Sequence, residues 1–446
     1  PVADITADTV STLEDTPVTF DVIAGTNGAT ADNFEGSPII TMINSTAVTL
    51  GSVVSVSNGT VTVDAVTGLL TFTPNLNYNG TTNFTYTVTS PTGVTETAQV
   101  NVNVTPVNDA PVNTVPGAQT FNEDTPRVFS TANGNAISIA DVDAATGDVT
   151  TTITVNNGTL TAGGTAPQRA ALTSLTGNGT NTLVLTGTVA EINAVLQGMS
   201  YTGTLNFNGT DTLTITTNDN GNTGAGGPLS DADTVTLNIT AVNDAPVNTV
   251  PAAQNVNEDN ALVFSGTNGN LISVSDIDVA EGTGLLTVTL SVTNGTLSLS
   301  GVSGLSFGTG DGTADTTMTF TGTAADINAA LNGLAFNPVA DYNGGALLTL
   351  STSDNGNSGS GGAQVTNSNV NITVNPVADI TIDTVSTQED TPVSFDVIAG
   401  INGATADNFE GSPIITMING TAVTPGSVVS VSNGTVTVDA VTGLLT

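Results

Sequence analysis

The chain has 446 residues, of which 39 are Asp or Glu and only two, Arg127 and Arg169, are basic, for a formal charge of −37; Lys, His, Cys and Trp are absent. So few cations exclude nucleic acid and anionic membrane surfaces as partners, because both are held by clusters of Lys and Arg. The lack of Cys excludes disulfides and thiolate metal sites, and general acid–base chemistry would fall on carboxylates alone.

Disorder is excluded by the 38% hydrophobic content, which is spread in alternating runs of Val, Ile and Leu that an acidic tail lacks. No apolar run approaches the roughly 18 residues that a membrane span needs, so no membrane insertion is expected in this segment. Internal repetition sets the architecture. Residues 1–71 recur at 376–446 with six differences in 71 positions, and a looser repeat relates 107–241 to 242–376. Val2, Val107, Val242 and Val377 mark the starts. The reading is four modules: A over 1–106, B over 107–241, C over 242–376, and a truncated second copy of A over 377–446.

In chain order, A offers "GTVTVDAVTGLLTFTP" (59–74). Val61, Val63, Leu70 and Phe72 alternate there about an Asp-Ala-Val-Thr-Gly turn, which predicts a hairpin. "NFTYTVTS" (83–90) and "AQVNVNVTP" (98–106) alternate likewise, and Thr and Val suit a pleated, half-buried surface. In B, helical spacing of Ile192, Val195, Leu196 and Met199 predicts one short helix over 188–197. Thr188 and Glu191 fit a capping box and Gly198 fits the stop. In C, Thr323 and Asp326 repeat the arrangement over 323–332, with Ile327, Ala330, Leu331 and Leu334 inward. The second A copy stops at "GLLT", where the first continues into two strands. Residues 434–446 are therefore expected to present unpaired backbone, and the chain reads as an excerpt of a longer array. The fold class is all-β: a tandem array of antiparallel sandwiches, with one short helix in each of B and C.

One phrase punctuates the modules: "PVNDAPV" at 106–112, "AVNDAPV" at 241–247, and "PVADI" at 1 and 376. Each of the first two is followed by "NED" (122–124, 257–259), an Asp-x-Asp turn (Asp141–Asp143, Asp276–Asp278) and "NDNG" or "SDNG". That order resembles cadherin repeats, and more closely the cadherin-like, Ig-like repeats of giant bacterial surface adhesins. The resemblance covers essentially the whole chain.

The resemblance implies Ca2+ at the module joints. At the A/B joint it implies Glu14, Asn108, Asp109, Asp141, Asp143 and Asp219 as ligands. At the B/C joint it implies Glu123, Asn243, Asp244, Asp276, Asp278 and Asp354. Oxygen donors of this kind are what Ca2+ takes, about six to eight at a time. The departures fall in A and B. Ser90 stands where B and C have Asp219 and Asp354, "ADNFEG" (31–36) replaces a clean Asp-x-Asp, and "LNYN" (76–79) and "LNFN" (205–208) are Asn-rich where the family is acidic. The C/A joint, around Asp379, is accordingly expected to bind Ca2+ worst. The alternative at every acid is a turn former or helix cap with no metal.

The acids recur with the repeat, whereas an active site would occur once, so the chain reads as a non-enzyme. It reads as an extracellular stalk or fibre segment at a bacterial cell surface. Its partners are neighbouring modules, other copies in a fibre, or a cell-surface receptor. The alternatives are a filament or surface-layer subunit and a carbohydrate-binding module.

Overall fold

The computed structural model describes residues 5–34, 36–279, 282–356, 359–377, 380–407 and 412–446. They form two compact units, divided between Ala241 and Val242.

The first unit holds two hydrophobic cores. One, from Val10 to Val104, lies between a five-stranded and a four-stranded sheet. The larger sheet runs Asp8–Leu13, Thr95–Thr105, Gly80–Thr89, Ile39–Ile43 and Thr46–Ala47. The smaller runs Val18–Phe20, Leu70–Pro74, Gly59–Val63 and Val53–Val56. The 59–74 hairpin forms as its alternation predicts, with Val61, Val63, Leu70 and Phe72 all buried. Its turn closes on Asp64, whose Oδ1 accepts the Val66 and Thr67 backbone N–H groups and the Thr67 hydroxyl. The first strand, Asp8–Leu13, pairs parallel with Thr95–Thr105, whereas the other ladders of these two sheets are antiparallel.

The second core runs from Phe129 to Ile239, under a six-stranded sheet, a three-stranded sheet and a helix. A small ribbon, Val112–Thr114 with Ser138–Ala140, sits beside them. The first helix, α1, is Ala166–Ala171, and the second, α2, is Val189–Leu196. The spacing predicts only α2 here. Helix α1 starts at Thr165, which forms a capping box with Gln168 beside a first-turn proline, a signal carried in a polar stretch without apolar periodicity. On α2 the Thr188–Glu191 box forms, and Ile192, Val195 and Leu196 are buried. Met199 is not on the helix. It opens the strand Met199–Gly203 after Gly198, whose φ of +83° turns the chain.

The second unit repeats this plan over Val247–Asn375, with one α-helix among the described residues, α3 (Ala324–Leu331). Thr323 caps it as predicted; Leu334 starts the strand Leu334–Pro338. Beyond it, the second copy of the A sequence keeps a hairpin, Val428–Val431 with Gly434–Thr437. Residues 434–446 are not left unpaired. Thr437 and Thr446 exchange backbone hydrogen bonds, as do Phe395 and Leu445. Those partners all lie within the copy. The counterpart of the strand Asp8–Leu13 is what changes: residues 383–388 form no strand.

Candidate metal centre

The linker after Thr105 is gripped from both sides. On the side of the first core, Glu14 Oε1 accepts the Val107 N–H at 2.5 Å, and Glu14 N–H donates to Thr105 O. On the other side, Asn108 N–H donates to Ala225 O and Ala225 N–H to Pro106 O, a parallel bridge between the linker and the glycine-rich 219–228 loop. The Asn108 side chain continues the grip, donating to Asp219 Oδ2 at 2.5 Å and to Gly227 O at 3.0 Å. Asp109 N–H donates to Asp143 Oδ2, and Asp141 Oδ1 accepts the N–H groups of Asp143 and Ala144.

These bonds bring all six residues implied for the A/B joint into one connected set: Glu14, Asn108, Asp109, Asp141, Asp143 and Asp219. They also leave oxygens over. Asn108 Oδ1, Asp109 Oδ2 and Asp141 Oδ2 are buried with no hydrogen-bond partner. Burial pushes the Asp109 carboxyl up from its usual range, and the charges of Asp143, Asp15, Glu14 and Asp141 push it further. Burial works the same way on Asp219, but the N–H groups of Gly221 and Leu229 and the Asn108 amide outweigh it and hold that carboxyl low.

The second unit shows the same constellation on its own side of the B/C linker. Asn243 Nδ2 donates to Asp354 Oδ2 at 2.6 Å, Asp244 N–H to Asp278 Oδ2 at 2.6 Å, and Asp278 N–H to Asp276 Oδ1 at 2.9 Å. Asn243 Oδ1 and Asp276 Oδ2 are buried without a hydrogen-bond partner. Burial, then the charges of Asp354 and Asp278, raise Asp276, against the Asp278 and Val279 N–H groups. Glu123, the remaining residue implied for that joint, is buried in the first unit, its N–H donating to Thr240 O. At the C/A linker, Glu258 Oε1 accepts the Val377 N–H, whereas Asp379 lies outside the described residues.

Several contributors were not singled out by sequence reasoning. Asp15 adds charge beside Asp109, and its Oδ1 accepts the Asn77 N–H. Asn79, in the Asn-rich "LNYN", donates to Glu14 Oε2 at 3.4 Å, so this stretch supplies a donor to a ligand candidate. Thr223 donates to Asp143 O.

Does such a set suit a cation? Its donors are carboxylate and amide oxygens with no nitrogen or sulfur ligand, which is the chemistry of a hard cation such as Ca2+. The unpartnered buried oxygens need a partner, and a cation supplies one. Among the described residues, however, no three acidic groups already converge as a finished cage. The set therefore fits Ca2+ in its donor chemistry without being closed around it.

Residues 1–103 match the model of the Bacterial Ig domain family, and residues 134–225 match the Protein GAMETE EXPRESSED 2 domain. No curated protein matches the chain. Similar solved structures include Protocadherin Gamma B2 extracellular cadherin domains 1-5, at 17% identity and a TM-score of 0.40 over 84% of this chain and 60% of that one. Human CDH23 EC21-23 is similar at 16% identity and a TM-score of 0.36, over 82% of this chain and 97% of that one. Mouse Cadherin-23 EC22-24 is 16% identical with a TM-score of 0.32, over 84% and 96%. The chain spans 60% of the length of the first of these. The all-β fold, the ordered motifs and the match over residues 1–103 agree on a tandem array of β-sandwich repeats, the first of which is similar to the Bacterial Ig domain family.

Proposed function

We propose that the chain is a structural segment of an extracellular stalk or fibre of a bacterial surface adhesin, whose joints are stiffened by Ca2+. One observation carries this reading. One side-chain oxygen each of Asn108 (Oδ1), Asp109 (Oδ2) and Asp141 (Oδ2) is buried at the A/B linker without a hydrogen-bond partner, among carboxylates that repel one another. A hydrogen-bonded turn would leave no such surplus, and a divalent cation offsets both the missing partners and the charge. Glu14 and Asn108 would hold the linker, while Asp109, Asp141, Asp143 and Asp219 would supply charge from linker and module B. The four modules read from the repeats carry the proposal, with joints near 106, 241 and 376.

Titration of the metal-free chain with Ca2+ tests it. Binding to the native state alone stabilises by about 2.7 kcal/mol at one hundred times the dissociation constant. The melting temperature should rise and the particle should lengthen in small-angle scattering. Mg2+ should do less, since it demands octahedral geometry and keeps its water. Asp109→Ala with Asp143→Ala should abolish binding at the A/B joint and leave the second class of sites intact. No change in melting or length with Ca2+ at near-physiological salt would reduce the acids to turn formers.

A further inference from the structure

The helix α2 carries a polar side chain that its packing does not need. Asn193 faces the strand Ser138–Ala140 and meets one residue twice: Ile139 N–H donates to Asn193 Oδ1 at 2.9 Å, and Asn193 Nδ2 donates to Ile139 O at 2.8 Å. The amide thus fills the place of a neighbouring strand along that edge of the ribbon. On the other edge, Ile139 is opposite Asn113, whose Oδ1 accepts the Thr217 hydroxyl at 2.7 Å. This short chain of contacts ends close to each ligand-bearing segment. Ile139 just precedes Asp141, Asn113 follows the linker, and Thr217 just precedes Asp219. Helix α3 does the same in the second unit. Val274 N–H donates to Asn328 Oδ1 and Asn328 Nδ2 to Val274 O, both at 2.8 Å, and the Thr352 hydroxyl donates to Asn248 Oδ1.

We propose that Asn193 and Asn328 are positioning residues: pegs that hold the strand leading into each Asp-x-Asp turn and so set the turn's place at the joint. The chain holds its own control. The A module has no helix among its described residues and no clean Asp-x-Asp turn, so peg and turn occur together or not at all. The link to cations rests on the function proposed above; the mechanical role of the amide does not. A ribbon of three-residue strands has few ladder bonds of its own, and a two-stranded element is marginal in water. Two amide bonds on its free edge are therefore a large share of what orders it.

The test uses the full chain with Asn193→Leu, which removes both amide groups while keeping the branching and number of side-chain heavy atoms, and Ile192→Ala as a packing control. Hydrogen exchange of the metal-free proteins should show the Ile139, Asp143 and Ala144 amides exchanging tenfold faster or more in Asn193→Leu, with the strand Val149–Thr154 unchanged. Ca2+ affinity of one class of sites should fall about tenfold or more, as for residues that orient ligands. Ile192→Ala should lower the melting temperature and leave turn exchange and affinity as in the wild type. Asn328→Leu should reproduce the result at Val274 and Asp278, and decides the matter if Asn193→Leu does not fold. Wild-type exchange at the turn in these variants, or effects identical to those of Ile192→Ala, would overturn the proposal. If the wild type takes up no Ca2+, the joint reading fails, and the exchange measurements alone decide the pegs.

Discussion

Asp8 is fully buried and lies near Asp32 and Tyr86. The Tyr86 hydroxyl donates to Asp32 Oδ2 at 2.7 Å, Thr6 N–H to Asp32 Oδ1, and Thr30 N–H to Asp8 Oδ1. Asp8 Oδ2 is buried and has no hydrogen-bond partner. Burial above all raises Asp8, more than the Thr30 and Tyr86 groups give back; burial also raises Asp32, to which Glu96 adds charge. Raised carboxyls stabilise the fold below their unfolded value of 3.8, and that contribution is lost as pH rises through the higher folded values. Asp8→Asn should therefore melt higher than the wild type at pH 7, with the gap closing toward pH 4. A gap that is constant with pH, or wider at pH 4, would refute this. In the sequence Asp32 belongs to "ADNFEG" (31–36), which stands in place of a clean Asp-x-Asp turn. The pairing of Asp32 with Tyr86 spans 54 positions, and no local pattern carries that.

Gly224 makes a second residue-scale case. Its φ is +103°, and a Cβ there would stand 2.6 Å from Asn108 N and from Val107 C. Gly224→Ala would strain the loop and push the linker off it, at a cost on the order of 1–3 kcal/mol. Faster exchange of the Asn108 amide is the readout. The glycine run is visible in the sequence, but that it lies against the linker is not, because the Asn108 amide reaches Asp219 across 111 residues.

At the scale of elements, alternation and capping were the readable signals. The 59–74 hairpin, α2 and α3 follow from them, each because its apolar period matches the face it buries. Met199 and Leu334 extend the helical spacing by chance; the glycines before them end each helix and the next strand takes the side chain into the same core. Helix α1 has no buried residue, so hydrophobic spacing had nothing to register. The candidate ligands were legible as acids at repeated positions, whereas Asn193 was not, since an Asn on a helix face carries no periodic signal. Thr188→Ala removes the side chain that accepts the Glu191 N–H, and should cost about 1 kcal/mol. Chemical denaturation should show that loss in the transition that reports on residues 119–240.

For the whole molecule, joints and modules should differ in their exposure to proteases. An Asp/Glu-directed enzyme should cut near 106–111 and 241–246, slowly with Ca2+ and faster after chelation. Cuts concentrated within 50–90 or 190–210 would contradict the four-module division. A further consequence lies in how an early strand of a repeat meets its closing strand. Asp8–Leu13 lies parallel to Thr95–Thr105 through six residue pairs, and Gln119–Asn122 and Gln254–Asn257 lie parallel to their closing strands through four each. Tension applied through the chain enters at the start of one such strand and leaves at the end of the other. Parallel strands loaded in that way slide past each other, so their hydrogen bonds bear the load together, whereas a hairpin pulled at its open end parts one bond at a time. Each of these three repeats is thereby built to resist stretching through a shear clamp. The six-pair clamp near the start of the chain should rupture at higher force than the four-pair clamps when single molecules are extended.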